Sequence, residues 1–220
     1  MKEQSLKQKT VGALLWNLLD RMGQQVLLFI VGIIVANILS VEDYALVGML
    51  AIFTAIANIV LDSGFSSALI RKQDATEEDY SSVFYFNLSI SVVLYAILFF
   101  AAPYIAQFYN QPLLTDLTRI IFLSLPFNSL SLIQNTLLNK KIEFKRLAKI
   151  NFISLLISGG CSLSMAYNGL GVWTLAWQPV ILSFSKSALL WMSNKWRPKL
   201  IFKLSNIQSL FGFASSLLLA

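Results

Sequence analysis

Within WNLLDRMGQQVLLF, Trp16 to Phe29, an acid, a base and two amides (Asp20, Arg21, Gln24 and Gln25) crowd into apolar chain, and Asn17 adds another amide one turn earlier. A guanidinium is a permanent forked cation suited to phosphate or carboxylate oxygens. A carboxylate beside it can tune that cation or take up a coupling cation. Other chemistry is scarce. The sequence has no histidine, which removes the usual zinc, Ser/His and Cys/His arrangements. Its one cysteine, Cys161 between Gly160 and Ser162, cannot form an internal disulfide and reads as a small helix-contact residue.

The elements that must position these groups follow from composition. The 220 residues are 56% hydrophobic and 13% charged, with mean hydropathy +0.67, whereas an ordinary soluble domain is about 25% charged. This is the composition of a polytopic membrane protein. Apolar stretches near the ~20 residues needed to cross ~30 Å of hydrocarbon lie at 11–39, 44–61, 82–102, 117–138, 150–167 and 172–192. All are expected to be helices, because an open sheet edge fails in lipid and barrel-strand alternation is absent. The first lacks a small-residue cleavage site and is expected to stay in the mature protein. A seventh run, 207–220, ends in FGFASSLLLA without a polar flank, as a helix cut short would.

Lysine and arginine segregate by loop. One set holds Lys2, Lys7 and Lys9; Arg71 and Lys72; Lys140, Lys141, Lys145, Arg146 and Lys149; and Lys195, Arg197, Lys199 and Lys203, while SVED, PYIAQFYNQPLLTD and NGLG hold none. The positive-inside rule then places the N-terminus and the basic loops in the cytoplasm. The net charge of +6 reads as topology and contact with anionic lipid, not nucleic acid, because the cations are spread over short loops. Tyr104, Tyr109, Trp173, Trp191 and Trp196 fall near the expected interfaces. KKIEFKRLAK, 140–149, suits a short helix on the cytoplasmic leaflet or a plain topology signal. EEDY, 77–80, reads as a solvated acidic patch leading into the third helix.

The run from Val26 to Leu39 is too short to cross alone, so the first helix must reach back through Gln25, Arg21 and Asp20. At 100° per residue Asn17, Asp20, Arg21 and Gln24 share a stripe about a third of the circumference wide, which predicts one wet face. Arg21 alone could snorkel to the headgroups; the shorter polar side chains favour a cavity or neighbouring helices. Thr54, Asn58 and Asp62 repeat every four residues in the second helix. Ser124, Asn128, Ser131 and Asn135 share an arc in the fourth, where Pro126 should kink the chain. Ser124, Ser131, Ser154, Ser158 and Ser162 read as interhelical glue. Lys186 can snorkel or point inward, and Pro179 offers a hinge.

DRMGQQV, ANILSVEDYALVGMLAIF and LDSGFSSALIRK, with the Pro-containing fourth helix and a basic loop before the fifth, resemble the N-terminal half of polysaccharide flippases of the multidrug/oligosaccharidyl-lipid/polysaccharide exporter superfamily. The resemblance implies two six-helix bundles across a central cavity. By that comparison 1–192 is the first bundle, 193–206 a basic cytoplasmic linker and 207–220 the start of the second. It implies movement of undecaprenyl-diphosphate-linked oligosaccharide across the bacterial inner membrane by alternating access, for O-antigen, capsule or exopolysaccharide. Arg21 takes the anion-binding role, and Asn17, Asp20, Gln24, Gln25, Asn58, Asp62, Asn128 and Asn135 line the cavity. No metal or cofactor is implied; Na+, H+ or the membrane potential could couple transport. Partners implied are the lipid-linked oligosaccharide, membrane lipids, and polymerase and chain-length proteins. Two other functions stay open: cation-coupled drug export, kept alive by Asp20 and Asp62, and a membrane glycosyl- or phosphotransferase, for which EEDY is the only carboxylate cluster.

Overall fold

The computed structural model describes residues 6–61, 65–72, 74–203 and 206–207, without the side chains of 6–14. Among them the regular elements are helices: α1 Leu6–Ile38, α2 Val41–Met49, α3 Ala51–Leu61, α4 Phe65–Arg71, α5 Glu77–Phe108, α6 Leu114–Phe122, α7 Ser124–Lys140, α8 Phe144–Tyr167 and α9 Val172–Ser193. The all-α membrane bundle expected from composition is the fold found. Five stretches are long and apolar enough to cross: 15–38, 51–71, 77–108, 114–140 and 144–167. The sixth expected span is helical as α9, which carries Thr174, Gln178, Ser183, Ser185, Lys186 and Ser187 and is not among those five. Neighbouring helices supply the lining it needs: α9 lies between α8 and α7, α8 lies between α9 and α1, and α5 packs on α6 and α7.

Several boundaries move for local reasons. The expected 44–61 span is two helices. Ser40 caps α2 through a capping box with Asp43, and a tight turn, Leu50 N–H to Val47 O at 3.1 Å, separates α2 from α3. The fourth crossing breaks at Leu123, three residues before Pro126, whose ring cannot donate to the preceding turn. No separate surface helix forms at 140–149: a turn through Ile142, at φ +58°, leads straight into α8. Cys161 faces outward rather than into a helix contact.

EEDY is solvated only in its first half: Glu77 is exposed and Glu78 half-exposed, while Asp79 and Tyr80 are buried. The stretch is the first turn of α5, capped by Thr76, and Asp79 is buried with its Oδ2 accepting from Thr76 N–H and Oγ and from Lys72 Nζ at 2.8 Å. Lys140 Nζ closes the same end by donating to the carbonyls of Leu69 and Lys72, the last turn of α4. The segment after α9 lies across this end as a strap. Trp196 donates to Glu77, Lys203 Nζ to Glu78, and the Lys199 and Lys203 N–H groups to Ser81 and Ser82. Trp196 also packs edge-on against Tyr80 and Phe84. The basic loops therefore gather at one end. At the other, Gly171 at φ +54° sits so near α2 that a Cβ there would lie 3.4 Å from the Asp43 carboxylate.

Replacing Asp79 by Ala removes half of the capping box and the acceptor for Lys72. A loss of about 1–2 kcal/mol and a drop of about 2–8 °C in the thermal midpoint in detergent are expected, with a smaller drop for Glu78→Ala, whose ion pair is half-exposed. Equal drops would contradict the structural role given to Asp79.

Candidate functional site

The polar cluster of α1 does not form a single wet face. Asp20 turns toward α8, where Oδ2 accepts from Asn151 Nδ2 at 2.9 Å, and its Oδ1 accepts from Gln24 Nε2 at 2.7 Å. Asn17, Gln24, Leu27, Val31 and Val35 continue that half-buried or buried seam, and Gly159 of α8 lets Val31 approach so closely that a Cβ there would meet its methyl at 3.0 Å. Lys186 of α9 is half-buried and lies within Coulombic range of Asp20. Arg21 and Gln25 fall off this seam, exposed, and Arg21 makes no hydrogen bond or ion pair among the described residues. Two neighbouring residues thus divide the work: the acid holds α1 to α8, and the base is left unengaged.

A second polar region lies between α3, α7 and α9. A cleft of about 670 Å³ is lined by Tyr44, Thr54, Asn58, Ser124, Asn128 and Gln178 among others. An adjoining cavity of about 380 Å³ continues past Asn58 and Asn128 to Asn87 and Ser129. Asn58 and Asn128, from separate stripes of the sequence, are shared by both. Asn87 donates to the Leu61 carbonyl at 3.2 Å, while its Oδ1 and the Ser129 Oγ are buried without a hydrogen-bond partner. Such an uncharged array of amides and hydroxyls can exchange hydrogen bonds with a polyhydroxylated ligand.

The other expected residues scatter. Asn135 lies a heptad beyond Asn128 on α7, with a buried, unpartnered Oδ1 outside both cavities. Asp62 lies outside the described residues. Ser131 and Ser154 donate back to carbonyls of their own helices, Ser124 at the start of α7 donates to the Ile121 carbonyl of α6 across the break, and Ser158 of α8 donates to Gln178 O of α9. Sequence reasoning missed Asn87 and Ser129. It also passed over Arg119, at the end opposite the basic loops, whose guanidinium stacks 4.4 Å above the Phe99 ring and lies 3.9 Å from Asp116. No group of three His, Cys, Asp or Glu among the described residues could hold a metal ion.

Residues 34–220, spanning α2 to α9 and beyond, match the family model described as polysaccharide biosynthesis protein. The chain belongs to this family. Its polysaccharide-flippase resemblance is thereby shown, and relatives agree. The chain is 28% identical to teichuronic acid biosynthesis protein TuaB of Bacillus subtilis over 96% of its length and 44% of the relative's. It is 26% identical to succinoglycan biosynthesis transport protein ExoT of Rhizobium meliloti, over 90% and 40%. Lipopolysaccharide biosynthesis protein WzxC of Escherichia coli follows at 20%, over 84% and 37%. The chain spans less than half the length of these relatives. No solved structure matches it.

A double-mutant cycle of Asp20→Ala with Asn151→Ala, measured by unfolding in detergent, should return a coupling of about 0.5–2 kcal/mol. A coupling of zero would show that this hydrogen bond does not hold α1 to α8.

Proposed function

We propose that the chain supplies the first bundle of a flippase that carries undecaprenyl-diphosphate-linked oligosaccharide from the cytoplasmic to the periplasmic leaflet of a bacterial inner membrane by alternating access. The family supports a membrane transporter of polysaccharide biosynthesis; the substrate and the cycle are our reading. The observation that carries it is Arg21: a guanidinium on a membrane-length helix, free of ion pairs among the described residues while Asp20 beside it is fully engaged. Dragging a diphosphate through hydrocarbon is costly, and charge-assisted bonds from such a group lower that cost.

The amide and hydroxyl cleft complements this cation. Asn58, Asn87, Asn128 and Ser129 offer donors and acceptors without charge, the chemistry that sugar hydroxyls require. The one-sided basic loops support an N-terminus in the cytoplasm, which puts Arg21 about 10 Å inside that boundary on helix geometry. Cavity-facing roles for Gln25 and Asp62 belong to the same reading, whereas Asn17 and Gln24 lie in the α1–α8 seam and Asn135 outside both cavities. Coupling by Na+, H+ or membrane potential and a working partnership with polymerase and chain-length proteins are also part of it.

Complementation of a host lacking its own polysaccharide flippase tests the reading, with surface polysaccharide scored at matched protein levels. Arg21→Ala should lower output about 10- to 100-fold, the worth of one charge-assisted hydrogen bond of 1.5–3 kcal/mol, and Arg21→Lys should restore part of it. Full activity in both variants would remove Arg21 as the anion site and move the search to the rest of the transporter.

A further inference from the structure

At the basic end of α1 and α8, two cavities meet at Lys149. One, of about 280 Å³, is lined by Glu143, Lys145, Arg146 and Lys149. The other, of about 250 Å³, runs along Trp16, Leu19, Gly23 and Phe152, with Asp20 in its wall. The first is cationic and the second is apolar, so together they form an amphipathic groove on the outside of the bundle. Arg146 is spent on Glu143 at 3.1 Å, whereas Lys145 and Lys149 have no ion pair among the described residues. Lys145 Nζ stands 5.3 Å from the Trp16 ring centroid, so the ring holds it at the groove mouth. The floor is open at Gly23, where a Cβ would meet no atom within 4 Å. The Asp20 carboxylate stays in the wall of the apolar part, its two oxygens accepting from Gln24 and Asn151.

We propose that this groove binds one anionic phospholipid, its phosphate between Lys145 and Lys149 and an acyl chain along Trp16, Gly23 and Phe152. Charge complementarity selects the occupant: two unpaired ammonium groups stand where a helix pair leaves the hydrocarbon, and a zwitterionic lipid brings its own cation beside its phosphate where an anionic lipid brings net negative charge. An apolar strip alone would be ordinary lipid contact; concavity and paired cations at one end make it a site. The site is separate from the anion role given to Arg21, since Gly23 lies about 160° round α1 from that residue at 100° per residue.

Trp16 is a built-in reporter. The purified full chain would be placed in phosphatidylcholine nanodiscs carrying a minor fraction of brominated-chain phosphatidylglycerol or brominated-chain phosphatidylcholine. The Trp16 signal is the difference between the wild type and Trp16→Phe. Quenching by the brominated phosphatidylglycerol should exceed that by the phosphatidylcholine at least twofold, and unlabelled phosphatidylglycerol should reverse it. The preference should vanish in Lys145→Gln/Lys149→Gln, read as the ratio of quenching by the two lipids within that variant, because loss of Lys145 also removes its contact with the Trp16 ring. Gly23→Leu should reduce quenching by both lipids. Equal quenching by the two lipids, or a preference that survives loss of both lysines, overturns the proposal. Reversal by a polyprenyl diphosphate but not by phosphatidylglycerol also overturns it.

Discussion

The hydrogen bond from Asn151 to Asp20 sets the rotation of α1, and much of what this bundle can present follows from that rotation. A carboxylate within a membrane-length helix must be met by donors, because lipid offers none. α1 packs chiefly on α8, and Asn151 on α8 and Gln24 on α1 itself supply those donors. Once Asp20 faces α8, helical geometry places Arg21 on an open flank and Trp16 and Gly23 on the edge that forms the lipid-sized groove. Farther along, Val31 against Gly159, with Val35, Leu39 and Ala166, continues the same seam in apolar terms.

Length and apolarity made the crossings legible in the sequence, and the segregation of lysine and arginine made the two ends legible. Both depend on the solvent around the helix and need no knowledge of its neighbours. What escaped was tertiary. The capping boxes at Ser40 and Thr76 move helix starts by several residues, and their serine, threonine and aspartate signatures were present in SVED and TEED. Asp79 looked solvated because its partner Lys72 sits before the turn. Trp196, Lys199 and Lys203 read as a basic linker, although their bonds to Glu77, Ser81 and Ser82 span more than a hundred residues of chain.

The candidate site was readable to the extent that its groups repeat at helical spacing. Asn58 and Asn128 each stood in such a stripe, and the fold brings both to one pair of cavities. Asn87 and Ser129 stand close to other polar residues, Ser89 and Ser91 for the one, Asn128 and Ser131 for the other, and which of these faces a cavity is specified only by the helices opposite. The α1 stripe was drawn too wide: a four-residue arc cannot say where a packing seam ends, and Arg21 falls just beyond it. Arg119 was concealed by its place at the start of an apolar run, where it stacks on a ring of α5.

The contact between Asp20 and Asn151 also has a history within each molecule's synthesis. The two residues are 131 positions apart, so at ~5–20 residues per second the ribosome needs about 7–26 s between them. Throughout that interval α1 exists with its carboxylate but without the asparagine that receives it. Assembly of this bundle is thus paced from its far side: α1 waits for α8 before it finds its seat.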